Sequence, residues 1–359
     1  TTEIYTLSLH DALPIFDESA VMNAVNGLSC ISGSDIVVTQ DAHITAYQEG
    51  TPFTIIPEVQ GNNVDKDKAA ALIKEAVKSG SSEVDLVASG CYVTVGVTAE
   101  DAALKDLCDT MNRCRDMVIT YQFGEQTIKL EGETICTWIL GSTQDGLVDV
   151  NYDKAAAFVK SMADQYDTAG KTRAFHTTTG KDLNLTGPYG WQIDQAGETA
   201  SLIAMIRTGQ SQLREPLYSK KAQDRTTDCG KTYVEIDLTN QHVYMYQDGN
   251  LAWDAPCVTG NVSKNYTTPE GIYSLTYKQT DRVLRGEKKA DGTYEYESHV
   301  DYWMPFNGGI GLHDASWRSK FGGTIYQYGG SHGCINLPSG KAKTLYDMVY
   351  TGIPVICYN

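Results

Sequence analysis

Residues 331–336 read Ser331-His332-Gly333-Cys334-Ile335-Asn336, and a second histidine, His313, stands 18 residues before Ser331 in the run Gly309-Ile310-Gly311-Leu312-His313-Asp314. A cysteine beside a glycine, with two histidines in play, is a candidate thiolate nucleophile. The thiolate attacks a carbonyl carbon and the thiol does not, so a cysteine with its ordinary pKa of about 8.5 needs a nearby base or cation at neutral pH. Gly333 lets the chain bend sharply, so that consecutive N–H groups can point at one oxygen. In acyl transfer Cys334 is then the nucleophile. His313 is the base that takes the thiol proton and later returns one to the leaving amine. Its other ring nitrogen needs an acceptor, either a backbone carbonyl near His313 or the side chain of Asp314. The N–H groups of Gly333 and Cys334 are the expected oxyanion donors, one such donor being worth about 3–4 kcal/mol in the transition state. Ser331 and Asn336 are expected to shape the loop and hold His332. A zinc site from His313, His332 and Cys334 is the rival reading. It has three ligands of the right types, no evident fourth, and no C-x-x-C pair among the nine cysteines. No metal and no cofactor is therefore expected.

The surrounding pattern is mostly β. Tyr233-Val234-Glu235-Ile236-Asp237-Leu238 alternates with period two. Asn240-Gln241 turns the chain into His242-Val243-Tyr244-Met245-Tyr246, and Asp248-Gly249-Asn250 turns it again into a strand over 251–258. One convincing helix follows at 339–350, then a closing strand at 353–358. The polar, turn-rich residues 219–230 (SKKAQDRTTDCG) read as a linker.

The string from His313 through Ser331-His332-Gly333-Cys334-Ile335-Asn336 resembles the catalytic signature of L,D-transpeptidases of the YkuD type. Two further stretches are similar to that family, Thr268-Pro269-Glu270-Gly271-Ile272-Tyr273 and Met304-Pro305-Phe306-Asn307-Gly308-Gly309. The resemblance covers residues 231–359 and implies a YkuD-like β-sandwich. It implies that Cys334 attacks the carbonyl of the third residue of a peptidoglycan tetrapeptide stem and releases D-Ala. The side-chain amine of another stem then takes the thioester, giving a 3→3 cross-link. His313 matches the family's base, and His332, Gly333 and Cys334 its oxyanion region. Tyr273, Trp303 and Met304 are expected near the substrate cleft, and the charged, tyrosine-rich segment 282–299 is read as a flap over it. Carbapenem β-lactams are the expected inhibitors. Water as acceptor gives the alternative of an L,D-carboxypeptidase, and a lapsed site gives a wall-binding scaffold. A papain-like or caspase-like peptidase has no matching flanks.

Upstream, residues 17–218 read as α+β, with short strands and amphipathic helices. Strands are expected at 84–87, 92–97, 117–123, 126–130, 134–140 and 172–175, and helices at 99–115 and 194–206. Residues 64–74 return in weakened form at 150–160, both with apolar side chains at helical spacing, and Asp65, Asn151 and Gly80 read as helix ends. This region resembles, less strongly, the peptidoglycan-binding module that often precedes the catalytic domain, and two copies would account for the repeat. Tyr189 and Trp191 are candidates to meet a wall ligand.

The net charge of −16 disfavours nucleic acid and anionic membrane as partners. Subtracting one nucleophile from nine cysteines leaves eight, most of them read as small buried hydrophobes, with Cys257 and Cys357 able to pair only if their strands are neighbours. Residues 1–16 (TTEIYTLSLHDALPIF) resemble a translated sequencing-adapter remnant, neither signal peptide nor membrane span, so that a native anchor would have been lost with the true N-terminus. The expected placement, carried by the family resemblance, is extracytoplasmic, at the cell wall.

Overall fold

The computed structural model describes residues 17–359. The reading of residues 1–16 as a non-native leader lies outside them. Among the described residues no helix is long and apolar enough to cross a membrane. Compactness divides the chain into two units. The first runs to Ile119 and takes in Lys129–Tyr152 and Ile203–Gln212. The second comprises Thr120–Ile128, Asp153–Leu202 and Leu213–Asn359.

In the first unit the helix Lys66–Ser79 starts where expected, because the Asp65 carboxylate accepts from the N–H groups of Asp67 and Lys68, and it ends on left-handed Gly80. A second helix spans Ala102–Asp116 and buries Leu107, Cys108, Met111 and Cys114. The expected strand at 84–87 is a turn, since the Asp85 carboxylate captures the N–H groups of Val87 and Ala88. The strand expected at 92–97 shrinks to a Val64–Tyr92 bridge, because the Gly96 and Val97 N–H groups go to the Asp41 carboxylate. Residues 134–140 divide into a short helix, Gly132–Cys136, and a strand, Ile139–Ser142. The helical turn places Ile135 and Cys136 fully inside, so burial overrides the β propensity of Thr134-Ile135.

The C-terminal part of the second unit is two packed sheets. The first contains β1 (Tyr233–Asp237), β2 (His242–Gln247), β3 (Asn250–Pro256), β4 (Gly271–Ser274) and, last in sequence, β9 (Pro354–Tyr358). Its order is β3-β2-β1-β9-β4, with β1 and β9 parallel and the other pairs antiparallel. The β2–β3 turn has positive φ at both Asp248 and Gly249, the handedness that matches strand twist. The second sheet runs β5 (Gln279–Arg285), β6 (Glu297–Asn307), β7 (Ile310–Asp314) and β8 (Ile335–Leu337) in that order, β7 and β8 being parallel. A short helix, α1 (Ile325–Gly329), precedes β8, and α2 (Ser339–Met348) follows it. Val234, Ile236, Val243, Met245 and Val355 of the first sheet pack with Met304, Phe306 and Leu312 of the second, and Ala342 and Leu345 of α2 fill the remaining space. Each of these side chains larger than alanine contributes about 1.5–3 kcal/mol by leaving water.

Alternation in β1 predicts Glu235 and Asp237 on a wet face, yet both are fully buried. The reason is an added layer. Phe175, Leu183, Leu185, Tyr189 and Cys229 cover that face against Ile356 and Tyr358. The Glu235 carboxylate is held by the Thr178 N–H and hydroxyl, each at 2.8 Å, and by the Tyr358 hydroxyl. Gly187 fits against the Ile272 backbone of β4, where a Cβ would lie 2.1 Å from the carbonyl oxygen. Tyr189 and Trp191, expected to face a ligand, are instead buried. The Tyr189 hydroxyl accepts from the Gln223 N–H, and the Arg225 guanidinium lies 3.6 Å from the centroid of the Trp191 ring. Replacing Glu235 by leucine removes the acceptor of three hydrogen bonds at once. We expect a loss of about 3 kcal/mol or more in urea unfolding, with the slope of the transition unchanged. An unaltered midpoint would show that the layer 173–189 is not docked through this carboxylate.

Candidate active site

His313 and Cys334 meet because β7 and β8 run side by side. His313 is opposite Asn336 in that parallel pair and opposite Trp303 in β6, while Cys334 immediately precedes β8. Both line one cavity of about 210 Å³ with Ser331, His332, Arg318 and Asn336.

The imidazole is buried, 3% exposed, and both its nitrogens are occupied. Nδ1 lies 2.7 Å from the backbone carbonyl of Asp314. A carbonyl can only accept, so Nδ1 carries the proton and Nε2 the lone pair. Of the two acceptors left open by the sequence, it is therefore the carbonyl that orients the ring. The Asp314 carboxylate accepts from the Tyr302 N–H instead. Nε2 receives the Asn336 amide at 3.0 Å. That amide cannot be turned round, because its oxygen accepts from the Arg318 Nε–H at 2.7 Å and a guanidinium can only donate. Asn336, expected to support the loop, thus sits on the ring nitrogen that a base would use.

The Cys334 thiol donates toward the Gly309 carbonyl at 3.6 Å. Burial pushes the thiol up to about 11, partly offset by the Gly311 N–H. Burial also holds the imidazole below its usual value, against the raising effect of the Asp314 carbonyl. Both shifts disfavour charge, so the resting pair is neutral thiol and neutral imidazole. Alkylation of Cys334 by iodoacetamide, followed by peptide mass spectrometry, should therefore accelerate about tenfold per pH unit from 7 to 10. A rate already flat at pH 7 would mean a preformed thiolate and would refute this assignment.

The loop itself is tightly tied. Ser331 Oγ donates to the Cys334 carbonyl at 2.6 Å and accepts from the Gly333 N–H at 3.0 Å. Of the two expected oxyanion donors, Gly333 thus has its N–H turned to Ser331 at rest. Gly333 has φ +114°, outside the range of ordinary residues, and a Cβ there would meet Ile310 at 3.1 Å. Its carbonyl accepts from the buried Thr268 hydroxyl at 2.7 Å, which in turn accepts from the Gly260 N–H. His332 packs among tyrosines. Its ring lies between Tyr266 and Tyr296, 4.5 Å from each centroid, with Nε2 3.5 Å from the Glu295 carboxylate. It therefore docks the segment joining β5 to β6, the expected flap.

Among the expected substrate contacts, Trp303 stands at the site, 5.9 Å from the His313 ring and lining a second cavity of about 320 Å³ that also reaches Cys334. Tyr273 and Met304 do not. Tyr273 packs on Phe306 and donates to the Glu270 carbonyl, and Met304 is fully buried between the sheets. Both sit in the core because they face the space between the sheets, Tyr273 from β4 of the first and Met304 from β6 of the second. Thr268, Tyr296, Trp317 and Arg318 were not singled out from sequence. Thr268 lies in a stretch similar to the family's, but nothing in the sequence marks it as the residue that grips the loop. All nine cysteines are free thiols, Cys257 and Cys357 being fully buried without a bond between them.

Comparison with known proteins gives two family matches. Residues 231–357 match the L,D-transpeptidase catalytic domain, YkuD. Residues 106–214 match the "Putative peptidoglycan binding domain". Among solved structures, the Ldtfm avibactam carbamoyl enzyme is 32% identical, with 71% of this chain and 99% of that one covered at a TM-score of 0.57. A cysteine-to-serine variant of the Enterococcus faecium L,D-transpeptidase is 31% identical, with 70% of this chain and 100% of that one covered at 0.57. A catalytic domain from E. faecium acylated by ertapenem is 42% identical, over 36% of this chain and 98% of that one, at 0.32. A comparison with curated proteins gives no match.

Proposed function

We propose, from the premise that this chain belongs to the L,D-transpeptidase family, that it forms 3→3 cross-links in peptidoglycan through a thioester on Cys334. The observation that carries the proposal is the shared cavity of Cys334 and His313, with the ring oriented by the Asp314 carbonyl. Substrate entry has first to move the Asn336 amide off Nε2. The thiol proton then passes to Nε2 as sulfur attacks the carbonyl of the third stem residue. The tetrahedral oxyanion forms beside the Gly333–Cys334 peptide, which Thr268 and Ser331 hold in place. Collapse breaks the scissile C–N bond, and His313 returns the proton to the departing amine of D-Ala. The side-chain amine of a second stem attacks the thioester. It loses a proton to His313, and the sulfur leaves as thiolate and is reprotonated.

Cys334 lines two cavities, whose linings also share Tyr296 and Leu284. Separate approaches for donor and acceptor favour a transferase over a hydrolase. The peptidoglycan-binding match supports action at the cell wall, outside the membrane. Incubation with tetrapeptide muropeptides, read by mass spectrometry, tests the reading. Cross-linked dimer with released D-Ala is the expected product. Trimmed monomer alone would make the protein an L,D-carboxypeptidase, and neither product would leave a wall-binding scaffold.

A further inference from the structure

The half-buried guanidinium of Arg318 forms no ion pair with any carboxylate of the described residues, although the chain as a whole carries a net charge of −16. Its Nε–H is spent on the Asn336 oxygen. The cavity it shares with Cys334 and His313 has no acidic side chain in its lining. A permanent cation in the cavity of the nucleophile, with no counter-ion among the described residues, calls for an anionic group on the ligand.

The hydrogen-bond chain says where that group must lie. From His313 Nε2 the path runs to the Asn336 amide and on to Arg318. In the proposed reaction the departing nitrogen sits at Nε2 when it receives its proton. In an α-amino acid the carboxylate carbon is two bonds from that nitrogen. A leaving residue with a free carboxylate therefore reaches from the imidazole toward the guanidinium. Burial holds Arg318 below its usual pKa, with no neighbouring carboxylate to compensate, and a ligand carboxylate would supply that compensation.

We propose that Arg318 binds the terminal carboxylate of the donor stem, so that the enzyme accepts a peptide ending one residue beyond the scissile bond. This specificity role rests on the tetrapeptide reading above and adds to it the atom that measures the end of the substrate. When the carboxylate draws on the guanidinium, Arg318 loosens its hold on the Asn336 oxygen. The amide can then leave Nε2, which couples correct substrate to a free base.

The test compares two donors, the tetrapeptide stem with a free C-terminal carboxylate and the same stem as its C-terminal amide. Release of D-Ala or of D-alaninamide is followed by mass spectrometry. The wild-type protein should favour the free acid by about tenfold or more in kcat/KM. That ratio should fall to near one in Arg318→Gln, whatever happens to the absolute rate, and be partly kept in Arg318→Lys. A residue that merely props Asn336 would lower both donors equally and leave the ratio intact, which would overturn the proposal. Equal turnover of both donors by the wild-type protein would overturn it alone. No turnover of either, with no carbapenem adduct on Cys334, would sink the tetrapeptide reading and this inference with it.

Discussion

Cys334→Ala should remain folded and release no measurable D-Ala from tetrapeptide muropeptides, a loss of at least about 10⁴-fold. The side chain removed is small, and its hydrogen bond to the Gly309 carbonyl is long, so the sheets should not notice. Circular dichroism and the melting temperature check that point. The same variant should form no covalent adduct with a carbapenem, whereas the wild-type protein should gain one inhibitor mass on the peptide bearing residue 334. Adduct formation in the variant would place the nucleophile on another of the nine cysteines. The eight others are mostly buried, and a thiol such as Cys257 or Cys357, fully enclosed between strands, has no path to a peptide carbonyl.

Exchanging His313 for glutamine should cost about 10²–10⁴-fold in acylation rate. The pH profile separates loss of a base from general damage. In the wild-type protein burial keeps the imidazole neutral to below its ordinary pKa of 6.5, so activity should hold through neutrality and fall only in more acidic buffer. In His313→Gln no group accepts the thiol proton, and the surviving rate should climb with pH toward the thiol's own value of about 11. A variant that loses activity equally at every pH would mean that His313 serves the structure of the loop and not the proton transfer. With Trp303 and Trp317 each tilted against it at 5.9 Å, the ring does have packing duties, so thermal unfolding of the variant belongs beside the kinetics.

The two-sheet fold, and the loop that brings Cys334 into one cavity with His313, were legible because they are written locally. Six consecutive residues carry the loop, and period-two alternation carries the strands. What escaped was everything set by long-range pairing. Alternation gave Glu235 an exposed face and could not foresee a layer, some 57 positions earlier in sequence at Thr178, coming to cover it. Tyr273 and Met304 lay in stretches similar to the family's, yet which face of a strand they occupy depends on register, and register put them inside. Thr268 reaches Gly333 across 65 residues. Arg318 follows His313 closely, but its meaning came from the absence of a described acidic partner, which a sequence does not display. The expected strands at 84–87 and 92–97 failed for a different reason. There aspartate carboxylates took the N–H groups that a ladder would have used.

The amide seated on the histidine nitrogen has a consequence for survival between turnovers. Oxidants attack a cysteine as its anion, stepping it through sulfenic to irreversible sulfinic and sulfonic acids. A sulfur that keeps its hydrogen until a peptide arrives gives peroxide little to attack. A site built this way can stand idle for long periods and still hold a reduced sulfur when the next peptide comes within reach.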